Sequence, residues 1–167
     1  MHANEQLIQR FYEAFGQRDA AAMNACYHDE VVFSDPVFGE LRGQSVKSMW
    51  RMLCEQGVDL NITYSAISAD GEQGKATWVA MYTFSPTGRM VVNRVRASFT
   101  FRDGKIVAHH DSFDLRAWMR SALGVMGLFM SWIPGGQATI RTTAKRGLEQ
   151  WMQKRNGGGE RVQGAVN

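Results

Sequence analysis

The stretch FSDPVFGE, Phe33 to Glu40, sets an aspartate directly before a proline among apolar residues. A carboxylate flanked by Phe33, Val37 and Phe38 is partly desolvated, which raises its pKa toward the range of a useful general base. The competing reading is structural: an Asp at a strand end before Pro accepts backbone N–H bonds in a turn. A second polar group lies in VAHHDSFD, within a segment that otherwise reads as buried strand. Side chains alternate faces along a strand. Val107, His109, Asp111 and Phe113 therefore share one face, and Ala108, His110, Ser112 and Asp114 share the other. A His and an Asp two apart on one face are close enough for a shared hydrogen bond. The carboxylate then holds the imidazole tautomer and raises its basicity. The alternative is a satisfied polar pair at a fraying strand end. His110 and Asp114 read as sheet surface, a dimer interface, or a cap for the helix starting near Leu115. His109, Asp111 and Asp35 together offer three N/O ligands, but spacing brings no further His or Cys to that face, so no metal is expected.

The elements that must hold these groups follow from periodicity. Leu7, Ile8, Phe11, Ala14 and Phe15 recur at helical spacing, which predicts an amphipathic helix over 4–17. Asp19 caps a second helix carrying Met23, Cys26 and Tyr27. EVVFSD reads as a strand ended by Pro36, which has no N–H to donate. FGELRG is a turn or short strand. Ser45 caps a third helix with Val46, Met49, Trp50 and Leu53 on one face. The period then changes from 3.6 to 2 over 58–68, 74–85, 89–102 and 105–114, with SADGEQG, SPTG and RDGK as hairpin turns. Three helices followed by an antiparallel meander define an α+β class, with helices packed on one face of a curved sheet. A largely apolar segment, LRAWMRSALGVMGLFMSWIPGG, comes next, and a polar helix follows at 138–155. NGGGERVQGAVN, residues 156–167, has no core-forming pattern and is expected to be disordered.

Composition excludes several classes. Apolar residues at 44% and charged residues at 21% suit a single globular domain. Thirteen basic and fourteen acidic residues fall in 1–140, giving about −1, and six against two fall in 141–167, giving about +4. The +3 total therefore comes from the C-terminal end, and the body lacks the clustered positive charge that nucleic-acid binding needs. Cys26 and Cys54 are not spaced as a metal site or redox pair and read as reduced, buried thiols. The N-terminus has no signal-peptide apolar run, and Ala122–Ile133 is too short to span a bilayer, which takes roughly 20 residues. A cytoplasmic protein with no transmembrane segment is expected.

The order helix, helix, strand, helix, then meander resembles the SnoaL-like group of the nuclear-transport-factor-2-like superfamily, which includes ketosteroid isomerase. FSDPVFGELRG before the third helix and GKIVAHHDSFDL on the last strand carry the resemblance, over residues 4–118. It implies a cone: a curved sheet around an apolar pocket closed by helices, with dimers formed through the sheet. SDPV resembles the segment that carries the isomerase base, at Asp35. The oxyanion partners do not carry over, because Phe11 stands where the family Tyr would be and Ala97 where its protonated Asp would be. Loss of one such donor costs roughly 3–4 kcal/mol, so ketosteroid isomerisation itself is disfavoured. SnoaL-type cyclases use an Asp and a His at the strand end, which places the Val107 face inside the cone with Asp35 across the pocket from His109–Asp111. An epoxide-hydrolase site needs an Asp–Arg–Asp set, and here Arg94 and Arg96 fall on the outer face.

The expectation is a SnoaL-like cone domain over 1–118, a helical extension over 119–155 packing on or over it, and a tail over 156–167. Asp35, His109 and Asp111 are the candidate acid/base groups, and Tyr12, Trp50, Trp78 and Asn93 the candidate pocket lining, with core packing as the alternative. The implied function is cofactor-independent isomerisation, cyclisation or dehydration of a small apolar carbonyl or hydroxyl compound in a homodimer. A non-catalytic ligand-binding or scaffold module is the rival. Trp118, Met126, Phe129 and Trp132 are placed to cover the mouth of the cone, to make a dimer contact, or to lie on a membrane surface.

Overall fold

The computed structural model describes residues 1–163, with side chains to residue 157. Five helices and six strands follow in the order α1 (Ala3–Gly16), α2 (Ala20–Ala25), β1 (Tyr27–Asp35), β2 (Gly39–Arg42), α3 (Gln44–Gln56), β3 (Asn61–Ala69), β4 (Gln73–Phe84), β5 (Arg89–Arg102), β6 (Lys105–Ser112), α4 (Leu115–Trp132) and α5 (Gly136–Gln163). The strands form one curved, unclosed sheet in the order β2-β1-β6-β5-β4-β3. All pairs are antiparallel except β1 with β6, which run parallel. The sheet is therefore mixed, not the wholly antiparallel one expected. The parallel pair joins strands some 75 residues apart in the chain, beyond the reach of a local pattern.

α1 starts from a capping box: the His2 side chain accepts the Asn4 N–H, and the Glu5 carboxylate accepts the His2 N–H. Its buried face carries Leu7, Ile8, Phe11, Tyr12 and Phe15 into the concave side of the sheet. α2 ends at Ala25, earlier than expected, because Tyr27 opens β1 and pairs with Ile106. Gly43, not Ser45, precedes α3: it holds φ +52°, donates to the Val31 carbonyl at 2.8 Å, and its own carbonyl accepts from Val46 and Lys47. On β5 Val91, Val95, Ala97, Phe99 and Phe101 are buried while Arg94 and Arg96 are exposed, so the expected inward face is the one observed. Cys26 and Cys54 are both free and buried.

Asp114 Oδ1 accepts the Ala117 N–H at 3.1 Å and so caps α4. α4 is kinked at Gly124, whose φ of +67° and ψ of −145° are not helical. Arg89 and Thr87, from the β4–β5 hairpin, donate to the carbonyls of Ser121 and Ala122 that the kink leaves free. The kink folds Gly127 back so far that a Cβ there would overlap the Met119 carbonyl oxygen. Gly127→Ala is therefore expected to force α4 open and lower stability by about 2 kcal/mol, read as a fall in urea midpoint. A melt equal to wild type would mean the kink is not held.

Leu115, Trp118, Met119 and Ala122 form a second apolar cluster with Val91, against Val37, Tyr82, Phe84 and Phe113. The first half of α4 thus closes one end of the cone beside the β1–β2 turn. α5 packs on α3 through Leu148, Trp151 and Met152 and on the α4 cluster through Ile140. It extends to Gln163, into the segment expected to be disordered, of which residues 164–167 lie outside the described residues. No helix among the described residues is long and apolar enough to cross a membrane.

Candidate active site

β6 carries His109 and Asp111 on its concave face, 1% and 2% exposed. Their side chains meet: His109 Nε2 lies 2.9 Å from Asp111 Oδ1. The other ring nitrogen, Nδ1, lies 2.7 Å from the Tyr27 hydroxyl, which itself accepts the Trp50 Nε1–H at 2.8 Å. These partners assign the protons. Trp50 can only donate, so the Tyr27 O–H is left to donate to Nδ1, and Nε2 carries the ring proton given to Asp111. The chain runs in one direction, Trp50 to Tyr27 to His109 to Asp111, with Trp78 Nε1 also pointing at Asp111 Oδ1 at 3.4 Å. Both nitrogens of His109 are thereby committed, and the rings of Phe11, Phe33, Trp50 and Phe99 pack around the imidazole. Within this chain His109 holds Asp111 in place, and Asp111 is the member left with an unbonded oxygen, Oδ2, among the described residues.

Asp35 is the last residue of β1, which flanks β6 on the side away from β5. Phe33 pairs with His109 and Ser34 with His110, so the next residues along, Asp35 and Asp111, stand on adjacent parallel strands. Such strands lie roughly 4.8 Å apart. Asp35 is thus beside Asp111 rather than across the pocket from it, a correction that depends on the parallel β1–β6 pairing. The neighbour of Asp111 on its other side is Ala97, whose small side chain leaves room next to the carboxylate.

Both sequence readings of Asp35 apply. Its Oδ1 accepts the N–H groups of Val37 at 2.9 Å and Phe38 at 2.6 Å, closing the turn into β2. Its pKa is nonetheless pushed up to about 7. Burial is the main cause and the negative charge of Asp111 adds to it, while the two backbone N–H bonds pull the other way. Oδ2 makes no hydrogen bond among the described residues.

Tyr12 lies inside the cone against Tyr64, Trp78 and Phe99. Its hydroxyl is buried and has no hydrogen-bond partner among the described residues. Burial raises the pKa of its phenol, and the Asp111 charge raises it further, which sets the hydroxyl in the electrostatic reach of that carboxylate. An unpaired buried hydroxyl costs roughly 1–3 kcal/mol, and the Tyr12 O–H is a donor that no group of the protein uses among the described residues. Tyr82 closes the same region: its oxygen accepts the Trp118 Nε1–H at 2.8 Å, and burial, with a smaller part from the Asp35 charge, raises its pKa.

The four lining candidates divide. Tyr12 and Trp78 face the Asp111 side. Asn93 shares the inner face of β5 and is partly buried, two positions from Val95. Trp50 is packed on Phe11, Phe15 and Phe33 with its N–H given to Tyr27, so it positions the hydrogen-bonded chain and offers no face to a ligand. Tyr27 is the functional residue that sequence reasoning misses, because the helical pattern of α2 runs up to it. A surface groove lined by Gln17, Arg18, Arg51 and Glu55 shares no residue with this cluster. Among the described residues no three His, Cys, Asp or Glu side chains group as metal ligands.

The architecture is that of the nuclear-transport-factor-2-like cone. A family model described as the SnoaL-like domain matches residues 8–109, and the chain belongs to that family. The match contains Asp35 and His109, stops two residues short of Asp111, and leaves α4 and α5 outside. A comparison with curated proteins gives no match. Among solved structures the chain is similar to TerC, co-crystallised with polyporic acid, at 19% identity and TM-score 0.64, covering 73% of this chain and 99% of that one. It is similar to a nuclear-transport-factor-2-like protein of unknown function from Burkholderia pseudomallei, at 20% identity and TM-score 0.63, covering 73% and 98%. A third is an epoxide hydrolase of M. tuberculosis, at 22% identity and TM-score 0.60, covering 77% and 96%. At these identities the likeness concerns the fold alone.

Proposed function

We propose that the chain is a cofactor-independent proton-transfer enzyme acting on a small apolar carbonyl compound, with Asp35 as the group that carries the proton. The observation that supports this most is a carboxylate poised at about 7 beside a second carboxylate and an unpaired tyrosine hydroxyl. A general base works best with a pKa near the working pH. In this reading Asp35 Oδ2 takes a proton from the carbon next to the substrate carbonyl, and the C–H electron pair moves into an enolate. The Tyr12 O–H donates to the enolate oxygen and supplies the stabilisation that Phe11 and Ala97 cannot. Where the substrate carries a C=C bond β,γ to the carbonyl, the enolate is a dienolate, and returning the proton from Asp35 to its γ-carbon gives the isomer with the double bond moved into conjugation. Attack of the enolate carbon on a second carbonyl of the same molecule gives a ring, and the alkoxide formed takes the proton from Asp35. Asp111, held by His109 and Trp78, keeps Asp35 basic through its charge.

Solvent deuterium exchange tests this without knowing the physiological substrate. A panel of aromatic and alicyclic ketones is incubated in D2O and followed by proton NMR. Exchange next to the carbonyl that Asp35→Asn removes supports the reading. Ketone binding seen by thermal shift with no exchange in the wild type supports the rival, a non-catalytic ligand-binding module. The commitment of both His109 nitrogens and the aromatic filling at the base of the cone favour that rival to the extent that they leave His109 no substrate contact.

Tyr12→Phe separates binding chemistry from packing. Removing a hydroxyl with no internal partner is expected to raise stability by about 1 kcal/mol and to slow exchange by about 100-fold or more. A variant less stable than wild type would mean that the hydroxyl is already paired.

A further inference from the structure

Beyond the kink, α4 is packed inside out. The side turned to the protein carries Met130, partly buried, and the small residues Gly127 and Ser131, both buried. The side turned to solvent carries Val125, Met126, Leu128, Phe129, Trp132 and Ile133, with Val125 85%, Phe129 65% and Trp132 69% exposed. Helices of a globular domain place large apolar residues against their own core, so this stripe is built for an external apolar phase. Charge is distributed to match. Residues 1–114 hold eleven Lys and Arg against fourteen Asp and Glu, about −3, whereas 115–155 hold seven against one, about +6. Arg116 and Arg120 are exposed on α4 itself, and Arg146 and Lys154 are exposed on α5, where Arg155 is paired with Glu55. The Arg116 guanidinium sits 4.6 Å over the Trp132 ring, which puts a cation at the margin of the stripe.

We infer that the second half of α4 and the turn into α5 dock this protein on a membrane surface bearing anionic headgroups. Phe129, Trp132 and Ile133 enter the headgroup–acyl boundary, and the surrounding arginines meet the lipid phosphates. Apolar residues on one side, aromatics at the tip and basic residues beside them are the pattern of a helix that lies in the interface without crossing it. The docking is independent of the chemistry at Asp35.

The full-length chain is sedimented with vesicles of phosphatidylcholine alone and of phosphatidylcholine mixed with phosphatidylglycerol. The expected result is sedimentation with the mixed vesicles, weaker with phosphatidylcholine, and falling as salt is raised. Phe129→Ser with Trp132→Ser is expected to weaken binding about tenfold or more. Arg120→Gln with Arg146→Gln is expected to remove most of the preference for the anionic vesicles while leaving the thermal melt unchanged. Absence of sedimentation with either vesicle, or equal sedimentation of wild type and the Phe129/Trp132 variant, overturns the proposal. So does a dimer in vesicle-free sedimentation velocity that the Phe129/Trp132 variant alone dissolves, since the stripe then belongs to a second copy.

Discussion

Asp35→Asn is expected to stop proton transfer, by about 1000-fold or more in deuterium exchange, and to stabilise the fold at alkaline pH. The second half follows from linkage. In the unfolded chain an aspartate titrates near 4; in the folded chain Asp35 titrates at about 7. Between those values the folded protein holds one proton more than the unfolded one, so stability falls as pH rises through that window. A gap of that width corresponds to about 4 kcal/mol, and the partial exposure of Asp35 to solvent reduces it to about 2 kcal/mol. The Asn side chain keeps an oxygen for the Val37 and Phe38 N–H groups and carries no charge. The variant is therefore expected to lose the decline between about pH 4 and 7, measured as urea midpoints across pH. In the wild type the activity of a base at Asp35 rises with pH through the same range. A variant that unfolds more easily than wild type at pH 8 would show that Asp35 matters to the fold as an ionised turn residue.

The second large effect falls on Tyr27. Tyr27→Phe leaves two groups unpaired in the interior, the Trp50 N–H and the Nδ1 lone pair of His109. Each buried group left without a partner costs roughly 1–3 kcal/mol, so the variant is expected to lose about 2–5 kcal/mol in urea unfolding. Tyr27 is buried and packed with Trp50 and His109 against the Phe11 ring. The sign is opposite to that for Tyr12→Phe, although both changes remove one buried hydroxyl. A loss at Tyr27 below about 1 kcal/mol would mean that the chain from Trp50 to Asp111 is not connected through it.

Much of this is legible in the sequence. The period-2 runs of β4 to β6 and their Gly-containing turns define the meander, and alternation along VAHHDSFD places His109 and Asp111 on one face because that face depends only on parity. Helical spacing finds α1 and α3, since their apolar stripes are read locally. Strand order is different in kind. The adjacency of Asp35 and Asp111 requires β1 to pair in parallel with β6, a contact decided by how the whole sheet closes over α1. Tyr27 is hidden for the same reason: its strand partner Ile106 lies far along the chain, and tertiary pairing overrides the local helical pattern. At Asp35 the turn and the base stood as alternatives in the sequence. One carboxylate can do both, because Oδ1 makes the turn and Oδ2 is left over.

The most direct measurement is the pKa of Asp35 by carboxyl-carbon NMR, with the resonance assigned from Asp35→Asn. A midpoint near 7 is expected in the wild type, together with a lower midpoint in Asp111→Asn, where the neighbouring charge is gone. A midpoint near 4 that does not move in Asp111→Asn would contradict the paired-carboxylate site and leave Asp35 as a turn residue alone.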